Sequence, residues 1–394
     1  VTHSLDQHPK DPHPLADAYI EAAQQAGYSR NDDFNGADQE GFGYIQSTTR
    51  NGRRCSAAVG FLNPVRSRPN LTVASHALAH RVLFEGVRAT GVEYRQNGQG
   101  ITARAGKEVL LCAGAYNTPQ LLQVSGVGPA SHLQSLGIDV VADRAGVGAN
   151  LQDHFNAPLM YRLNENFTVN DLVNKWTHKV RHGLKYLLQR RGYMGMSVAY
   201  AGGFLKVHPN TSTPDIQNLL MMFSSEFIGD PVDPFPGCSL VVALMRPESR
   251  GSVMVSSHDP AVPPVIDGNY LASPKDRETM VLALKKCREI MRQSALQRYI
   301  VEEIRPGADC RSDSDFEGYL ESHGRTSYHP VGTCRMGPDA EAVVDPRLRV
   351  NGLQGLRVVD ASIMPSLVSG NTNGPTIMIG EKASDMILED AKSG

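Results

Sequence analysis

The spacing of apolar residues predicts several helices along the chain. Pro14–Gly27 has Pro at its front, Gly at its end and Ala, Leu and Ile between them, which is typical of one helix. Ser273-Pro-Lys-Asp276 predicts the start of a second helix that runs to about residue 297. Its apolar residues recur on one face at Met280, Leu284, Cys287 and Met291. A shorter helix is predicted over Asp315–Ser322.

Short β-type runs separated by turns predict two antiparallel sheets. The first is a small meander, with strands at Leu71–Ser75, Arg81–Phe84, Gly91–Tyr94 and Ile101–Arg104. The second sheet has predicted strands at Ile216–Phe223, Ser239–Met245, Gly251–Ser256 and Val265–Asp267. Single strands are also predicted at Lys107–Cys112, Ile138–Val141 and Leu356–Asp360. The polar, turn-rich residues 29–58 predict an ordered loop region.

The segment Asn170–Arg190 has a two-faced helical pattern. One face repeats apolar residues at Trp176, Val180, Leu184 and Leu187, and the other carries Lys and Arg. Some basic amphipathic helices lie on a membrane surface. The commoner arrangement is a solvated charged face above an apolar stripe in the core, and we expect that here. His178 and His182 have a metal-compatible spacing but no carboxylate or Cys partner nearby in sequence, so no metal site is predicted.

A loop, Ser327–Gly337, holds the most promising candidate for chemistry. His329 stands directly before Pro330, which restricts it to extended geometry on a stiff backbone. Gly332 and Gly337 allow the backbone to turn or to approach another group closely. A His on a rigid loop is a better catalytic candidate than one on a helix face.

Three further stretches are suited to binding a nucleotide-like ligand. The strand Lys107–Cys112 ends in Ala113-Gly-Ala115, and small residues such as Gly114 let a ligand lie against the backbone, although tight packing explains them equally well. Asp360 ends a strand, where an acid can accept hydrogen bonds from a nucleotide or serve as a helix cap. Ser369–Thr376 leads into a helix with Pro375 at its first position and no acid in its first turn, which leaves the N–H groups free for an anion.

The net charge and the cysteine pattern limit which partners, metal sites and disulfides the protein is expected to have. The 394 residues carry a formal net charge of -2, which gives no reason to expect nucleic acid or an anionic membrane as a main partner. Six scattered cysteines form no CxxC pair, so neither a zinc site nor a disulfide framework is predicted, and reduced thiols favour a cytoplasmic protein.

With these residues in hand, the chain resembles the glucose–methanol–choline (GMC) oxidoreductases, flavoenzymes that oxidise alcohols. Gly114–Gly128 matches the family's second signature at every constrained position. Gly146–His154 is similar to its Gly-Val-Gly-x-Asn-Leu-x-Asp-His stretch, and Ser327–Gly337 to its His-Pro loop. Leu356–Pro365 and Asn371–Glu381 are similar to its closing flavin-contacting segment, in the form of the choline-dehydrogenase-like branch.

The resemblance implies roles for individual residues. His329 matches the active-site base, and Asn371 matches the second active-site residue. The cofactor would be FAD. Its diphosphate would be contacted at Asp360 and Ala361, its isoalloxazine ring at Asn373, Pro375 and Thr376, and its adenine by the backbone of Ala79. The substrate would be a small-molecule alcohol, and the electron acceptor would be oxygen, a quinone or an electron carrier.

One part of the family pattern does not occur in this sequence. No GxGxxG, the family's grip on the FAD pyrophosphate, follows a strand anywhere in the chain. We therefore expect a fragment of a longer enzyme, with a possible N-terminal segment before Val1. Two alternatives remain: a non-catalytic binding module without FAD, and a flavin-containing lyase that cleaves cyanohydrins. The presence of His329, Asn371 and Asp360 argues against the first, and Asn at 371 against the second.

The predicted fold class is α/β (α+β). It combines an incomplete FAD-binding domain of the GMC type with a substrate domain whose antiparallel sheet is covered by helices. Residues 1–154 and 331–394 are assigned to the FAD-binding part, and residues 155–330 to the substrate domain. A cytoplasmic location is expected, with peripheral membrane association and a homo-oligomer as options.

Overall fold

The chain forms two units, each built from segments that are separate in sequence. The computed structural model describes residues 11–393 except Met196, Val198 and Ile228. The first unit contains the described residues up to Arg68, Phe155–Met245 and Pro274–Arg325. The second unit contains Pro69–His154, Arg246–Ser273 and the residues from Thr326 onward.

An antiparallel seven-stranded sheet is the centre of the first unit. Six strands follow the order Gly41–Tyr44, Ala199–Leu205, Ile216–Met221, Gly237–Leu244, Phe155–Leu163 and Ile300–Arg305. The two-residue strand Arg325–Thr326 pairs with Phe155–Leu163 beside this path. Every residue of Ala199–Leu205 is buried, and a Cβ at Gly203 would lie 2.6 Å from the Phe42 ring. Glycine is therefore required where these two neighbouring strands pack so closely.

Helices cover this sheet with their apolar faces. Pro14–Gln25 buries seven residues, including Tyr19, whose hydroxyl donates to Asn218 Oδ1 at 2.5 Å. Pro274–Met291 packs against Pro14–Gln25 and against the strand Gly237–Leu244. The other helical segments of the unit are Ala58–Leu62, Asn63–Val65, Val169–Asn174, Trp176–Gln189, Tyr193–Gly195, Ser294–Gln297 and Asp313–His323. A short hairpin joins Thr49–Arg50 to Arg53–Arg54.

The second unit combines a meander, a parallel strand pair and two longer helices. The meander consists of Ala77–Glu85, Arg88–Gln96 and Gln99–Arg104. Val109–Leu111 pairs in parallel with Leu356–Val358, so the carboxyl ends of both strands meet at one edge. Shorter strands pair Val127–Gly128 with Ala142–Asp143 and Ser252–Met254 with Val265–Asp267. The helical segments are Gly114–Val124, Ala130–Ser135, Ala361–Ile363 and Asn373–Ser393.

Most predicted elements are present, with several corrections. Three of the four predicted meander strands, the strands at 216 and 239, and the helices at 14 and 313 are found with small changes at their ends. The helix predicted to run to about residue 297 ends at Met291, and Ser294–Gln297 is a separate short helix. Leu71–Ser75 and Ile138–Val141 are not strands. Residues 29–58, predicted as loop, contain the strand Gly41–Tyr44. The strands at 252–254 and 265–267 form a separate hairpin of the second unit and do not extend the large sheet.

The predicted helix over Asn170–Arg190 is two helices, and its apolar stripe is not in the core. Val169–Asn174 and Trp176–Gln189 are separated at Lys175, whose φ of -116° and ψ of 115° are extended. No residue of Trp176–Gln189 is buried. The expectation of an apolar stripe packed into the core was therefore wrong.

The boundaries of the two units also differ from those predicted. Residues up to Arg68 join the first unit, because Gly41–Tyr44 pairs with Ala199–Leu205. Arg246–Ser273 joins the second unit through backbone hydrogen bonds, among them Val253 N–H to the Gly148 carbonyl at 2.7 Å. Thr326 and the residues after it also belong to the second unit, which therefore contains the whole loop around His329.

Two general features follow from the structure. None of the six cysteines forms a disulfide, and five of them are buried. In the part of the chain that the structure describes, no helix combines the length and apolar character needed to cross a bilayer.

Candidate active site

A buried carboxylate, Asp153, holds the loop that carries His329. Asp153 Oδ1 accepts the His329 N–H at 2.8 Å, and its Oδ2 accepts the Tyr270 hydroxyl at 2.7 Å and the Thr326 hydroxyl. Only 4% of Asp153 is exposed. Three donors thus satisfy a carboxylate that would otherwise be costly to bury. Burial and the Asp153 carboxylate together raise the pKa of Tyr270, so its phenol stays protonated and keeps donating.

Backbone hydrogen bonds fix the same loop on both sides of the histidine. The Ser327 N–H donates to the His154 carbonyl at 2.8 Å. Val331 and Gln152 exchange two backbone hydrogen bonds, at 2.9 and 3.1 Å. The backbone of residues 152–154 therefore holds the His329 loop on both sides of the histidine, and the His329 Cα has little freedom to move.

The side chain of His329 lies between His154 and Asn371. His154 Nε2 is 3.0 Å from the Val368 carbonyl oxygen, and His154 Nδ1 is 3.0 Å from His329 Nδ1. His329 Nε2 is 3.1 Å from Asn371 Nδ2. The two imidazole rings are perpendicular, at an interplanar angle of 90°.

With both rings neutral, these contacts determine which nitrogen of each ring carries the hydrogen. A carbonyl oxygen only accepts, so His154 Nε2 carries a hydrogen and, in the neutral ring, His154 Nδ1 is an acceptor. His329 Nδ1 must then donate to it, which leaves His329 Nε2 with a lone pair. The Asn371 amide nitrogen donates to that lone pair. The order of donors and acceptors therefore leaves His329 Nε2 with a lone pair that faces the Asn371 amide.

Burial keeps His329 in this neutral form. Desolvation lowers the pKa of His329 below its usual value, and the Asp153 carboxylate opposes this by raising it. The net lowering means that the ring is unprotonated at neutral pH and can accept a proton. Both predicted catalytic residues, His329 and Asn371, are thus brought together, with the basic nitrogen facing the amide.

The helix that follows Asn371 begins two residues later. Asn373–Ser393 has no acid in its first turn, as predicted, and it starts slightly before the predicted position of Pro375. The Thr376 N–H and hydroxyl both bond to the Thr372 carbonyl, at 3.0 and 2.7 Å. The positive end of this helix dipole therefore lies close in sequence to Asn371 and is not neutralised by a side chain of its own first turn.

Asp360 lies where the parallel strands end. Its Oδ2 accepts the Gly114 N–H at 2.9 Å and the Thr118 hydroxyl at 2.6 Å, and its Oδ1 accepts the Ser362 N–H at 2.8 Å. Gly114 has a φ of 82°, which favours glycine. The Asp360 carboxylate thus joins the starts of two helices, and a ligand there would meet backbone groups such as the N–H of Ala361, the first residue of its short helix.

A cavity of about 490 Å³ lies beside Ala79. Three segments of the second unit form its wall: residues 77–79 of the meander, residues of and just before the helix Gly114–Val124, and a Pro-rich turn. Most of this lining consists of Ala, Leu, Val and Pro side chains. The shape and lining suit a flat, largely apolar group.

Sequence reasoning assigned no role to Asp153, His154, Tyr270 or Thr118. Asp153 and His154 end the Gly146–His154 stretch and are adjacent polar residues that are almost completely buried. That Asp153 and His154 are neighbours can be read from the sequence. The hydrogen-bond partners of Asp153 cannot, because Tyr270 and Thr326 are 117 and 173 residues away from it. In the described residues, no group of three or more His, Cys, Asp or Glu side chains could hold a metal ion, and this includes His178 and His182.

Comparison with known families identifies two matching segments. Profiles described as GMC oxidoreductase match residues 4–156 and residues 247–380, which together make up well over half of the chain. The site residues of the second unit named above all lie inside these segments.

Similar whole proteins carry related names. An "oxygen-dependent choline dehydrogenase" of Burkholderia vietnamiensis is 45% identical over 375 residues, covering 95% of this chain and 66% of that protein. One of Burkholderia ambifaria is 44% identical with the same coverage. The chain thus spans slightly less than two thirds of the length of these relatives.

Solved structures share the fold. Pyridoxine 4-oxidase from Mesorbium loti superposes with a TM-score of 0.85 at 29% identity, covering 98% of this chain and 72% of that one. A formate oxidase variant from Aspergillus oryzae gives a TM-score of 0.91 at 23% identity, with the same coverage, and supports the fold alone. The resemblance seen in the motifs, the two profile matches and the shared α/β fold agree, and the chain belongs to the GMC oxidoreductase family.

Proposed function

We propose that the protein oxidises the CH–OH group of a small alcohol with FAD as its cofactor, and that His329 is the base. The observation that carries this proposal is the chain of hydrogen bonds from the Val368 carbonyl through His154 to His329. It leaves the lone pair of His329 Nε2 facing the Asn371 amide. Oxidising an alcohol requires a base for the hydroxyl proton and a donor for the oxygen that loses it, and this pair supplies both.

The residues of the second unit fit a flavin nucleotide. The cavity beside Ala79 suits an adenine ring. The turn at Gly114 and Asp360 offers the N–H of Ala361 for a phosphate, since the Gly114 and Ser362 N–H groups already donate to the Asp360 carboxylate. The acid-free start of Asn373–Ser393, with Pro375 and Thr376, suits the polar edge of a flavin ring. When bound, FAD would supply an acceptor for the hydride that leaves the carbinol carbon.

Proton transfer is the step that these residues perform. An alcohol oxygen bound near both His329 Nε2 and Asn371 Nδ2 would replace their direct hydrogen bond of 3.1 Å. The hydroxyl proton passes to His329 Nε2, while His329 Nδ1–H continues to donate to His154. The Asn371 amide donates to the oxygen as negative charge develops there. The fixed backbone of His329 means that little reorganisation is needed at this moment.

The names of the relatives guide the choice of substrate and acceptor. Choline is the first alcohol to test, because several similar proteins are named choline dehydrogenases. Pyridoxine is a second, because the protein of a similar solved structure is named pyridoxine 4-oxidase. Oxygen is the first electron acceptor to test, followed by a quinone.

The test is anaerobic mixing of the FAD-loaded protein with each alcohol while the visible absorbance of the flavin is followed. We expect the absorbance to bleach and one equivalent of aldehyde to form for each flavin. A cyanohydrin that is cleaved without bleaching would instead make the protein a lyase. A chain that binds no FAD, or FAD that no alcohol reduces, would remove the proposed function from this chain.

A further inference from the structure

The helix Trp176–Gln189 in the first unit has its apolar side exposed to solvent. Trp176 is 75% exposed, Leu187 65% and Leu188 80%, and Val180 and Leu184 are half exposed. At about 100° per residue, these five side chains fall within one sector of roughly 120°. They form a continuous stripe, which we call the apolar stripe.

The opposite side of the same helix faces the unit and is polar. Tyr186 donates its hydroxyl to the Gly52 carbonyl at 3.3 Å, and Lys185 pairs with Asp11 at 3.3 Å. The His182 ring lies 5.2 Å from the Tyr193 ring. The helix is therefore attached through its polar face, and its apolar face points away from the unit. This is the reverse of the usual arrangement for a surface helix.

Positive charge borders the apolar stripe on both sides. Lys179 and Arg181 flank it around the helix axis, and neither forms an ion pair with any residue that the structure describes. Arg190 and Arg191 follow at the carboxyl end. No Asp or Glu occurs between Asp171 and Asp215. The helix itself thus carries cations and no acid beside the apolar stripe.

We propose that the apolar stripe binds the surface of a bilayer containing anionic phospholipid, with the helix axis parallel to that surface. Apolar side chains in a central sector, a Trp and flanking cations are the features with which helices bind at the boundary between headgroups and acyl chains. A second copy of the chain is a poorer partner, because two such faces would bring like charges together. The inference does not depend on the proposed catalytic function.

Trp176 is the only Trp of the sequence, so the Trp emission of the protein reports on this helix alone and tests the proposal directly. The chain is titrated with vesicles of phosphatidylcholine alone and of phosphatidylcholine with phosphatidylglycerol. We expect the Trp emission to shift to shorter wavelength with the anionic vesicles and to be quenched by brominated acyl chains. High salt should weaken the effect, because it screens the flanking cations.

Variants separate the apolar and the charged contributions. Leu184→Gln with Leu187→Gln should lower the partition coefficient by roughly tenfold or more, because two apolar side chains no longer enter the bilayer. Arg181→Gln should lower it by roughly fivefold, the effect of one cation near an anionic surface. Leu388→Gln is the matched control, since Leu388 is 61% exposed on a helix of the second unit and should leave binding unchanged.

Three results would overturn the proposal. The first is emission that does not respond to anionic vesicles, or responds equally to neutral ones. The second is a loss of binding in Leu388→Gln equal to that in the double variant of Leu184 and Leu187, which would indicate non-specific adsorption through any exposed apolar residue. The third is a Trp176 already shielded from iodide before vesicles are added, because a protein surface would then cover the stripe. Salt dependence of the unmodified chain tests the charge contribution without any variant.

Discussion

Replacing His154 by Leu tests the hydrogen-bond chain on which the base depends. His154 is completely buried, and Leu keeps an apolar group of moderate size in its place. The change removes the acceptor for His329 Nδ1–H and the donor to the Val368 carbonyl. The contact between His329 and Asn371 is not altered directly. His154 would therefore act as a positioning residue, not as the base.

The size of the effect follows from one hydrogen bond. A buried bond between neutral groups stabilises by about 1 kcal/mol net, so the ratio of the reactive tautomer of His329 to the other neutral tautomer should fall by roughly fivefold. The rate of flavin reduction follows the fraction of the reactive tautomer and should fall by up to the same factor. Loss of the donor to the Val368 carbonyl should also lower the free energy of unfolding by about 1–3 kcal/mol.

The pH profile gives a second readout, with a definite sign. The protonated His329 ring also donates to His154, and this bond stabilises the charged form. Without it, the already lowered pKa of His329 should fall further, because this bond is stronger in the charged ring than in the neutral one. A lower pKa keeps the base unprotonated to lower pH. The acid limb of the reduction rate should therefore move to lower pH while the plateau decreases.

Anaerobic stopped-flow reduction with a saturating alcohol measures both the plateau and the acid limb. His132→Leu is a matched control, because His132 also bonds a carbonyl, that of Val255 at 2.9 Å, but has no contact with His329. It should lose stability without moving the pH profile. His154→Asn, whose amide oxygen can accept from His329, should recover most of the rate. An unchanged acid limb in His154→Leu, or no recovery in His154→Asn, would contradict the tautomer assignment.

Two other substitutions test the rest of the site. Asn371→Asp should slow flavin reduction, because a carboxylate repels the alkoxide, and should move the acid limb to higher pH, because its charge raises the pKa of His329; an unchanged rate would remove Asn371 from the mechanism. Thr118→Val should lower the free energy of unfolding by about 1.5–3 kcal/mol, since a hydrogen bond to the Asp360 carboxylate is lost, whereas Thr118→Ser should retain it. Equal melting temperatures for Val and Ser would show that this hydroxyl does not stabilise the turn.

The sequence supplied the two central residues but not the order of their protons. His329 was singled out by its stiff loop, and Asn371 by the family resemblance. Which nitrogen of His329 is basic depends on the ring of His154, 175 residues away, and on the Val368 carbonyl beyond it. A motif records that these residues occur, whereas the tautomer depends on which atoms face one another in space.

The helix Trp176–Gln189 illustrates a different limit of sequence reasoning. Its periodicity correctly indicated one apolar and one basic face. Periodicity reports only that the faces are separate, and burial of the apolar face was the general expectation. The anchors that reverse the orientation, Gly52 and Asp11, lie far away in the sequence. The boundary of the first unit was missed for the same reason, because the pairing of Gly41–Tyr44 with Ala199–Leu205 has no local signal.

The most direct measurement of the central claim is the anaerobic rate of flavin reduction in His329→Ala, beside His132→Ala as the histidine control. If His329 takes the hydroxyl proton, its loss should slow reduction by about 10²- to 10⁴-fold at neutral pH, and the remaining rate should rise with pH as the alcohol ionises without help. The control should reduce its flavin at the normal rate. Reduction of His329→Ala within a few fold of normal would show that the base lies elsewhere.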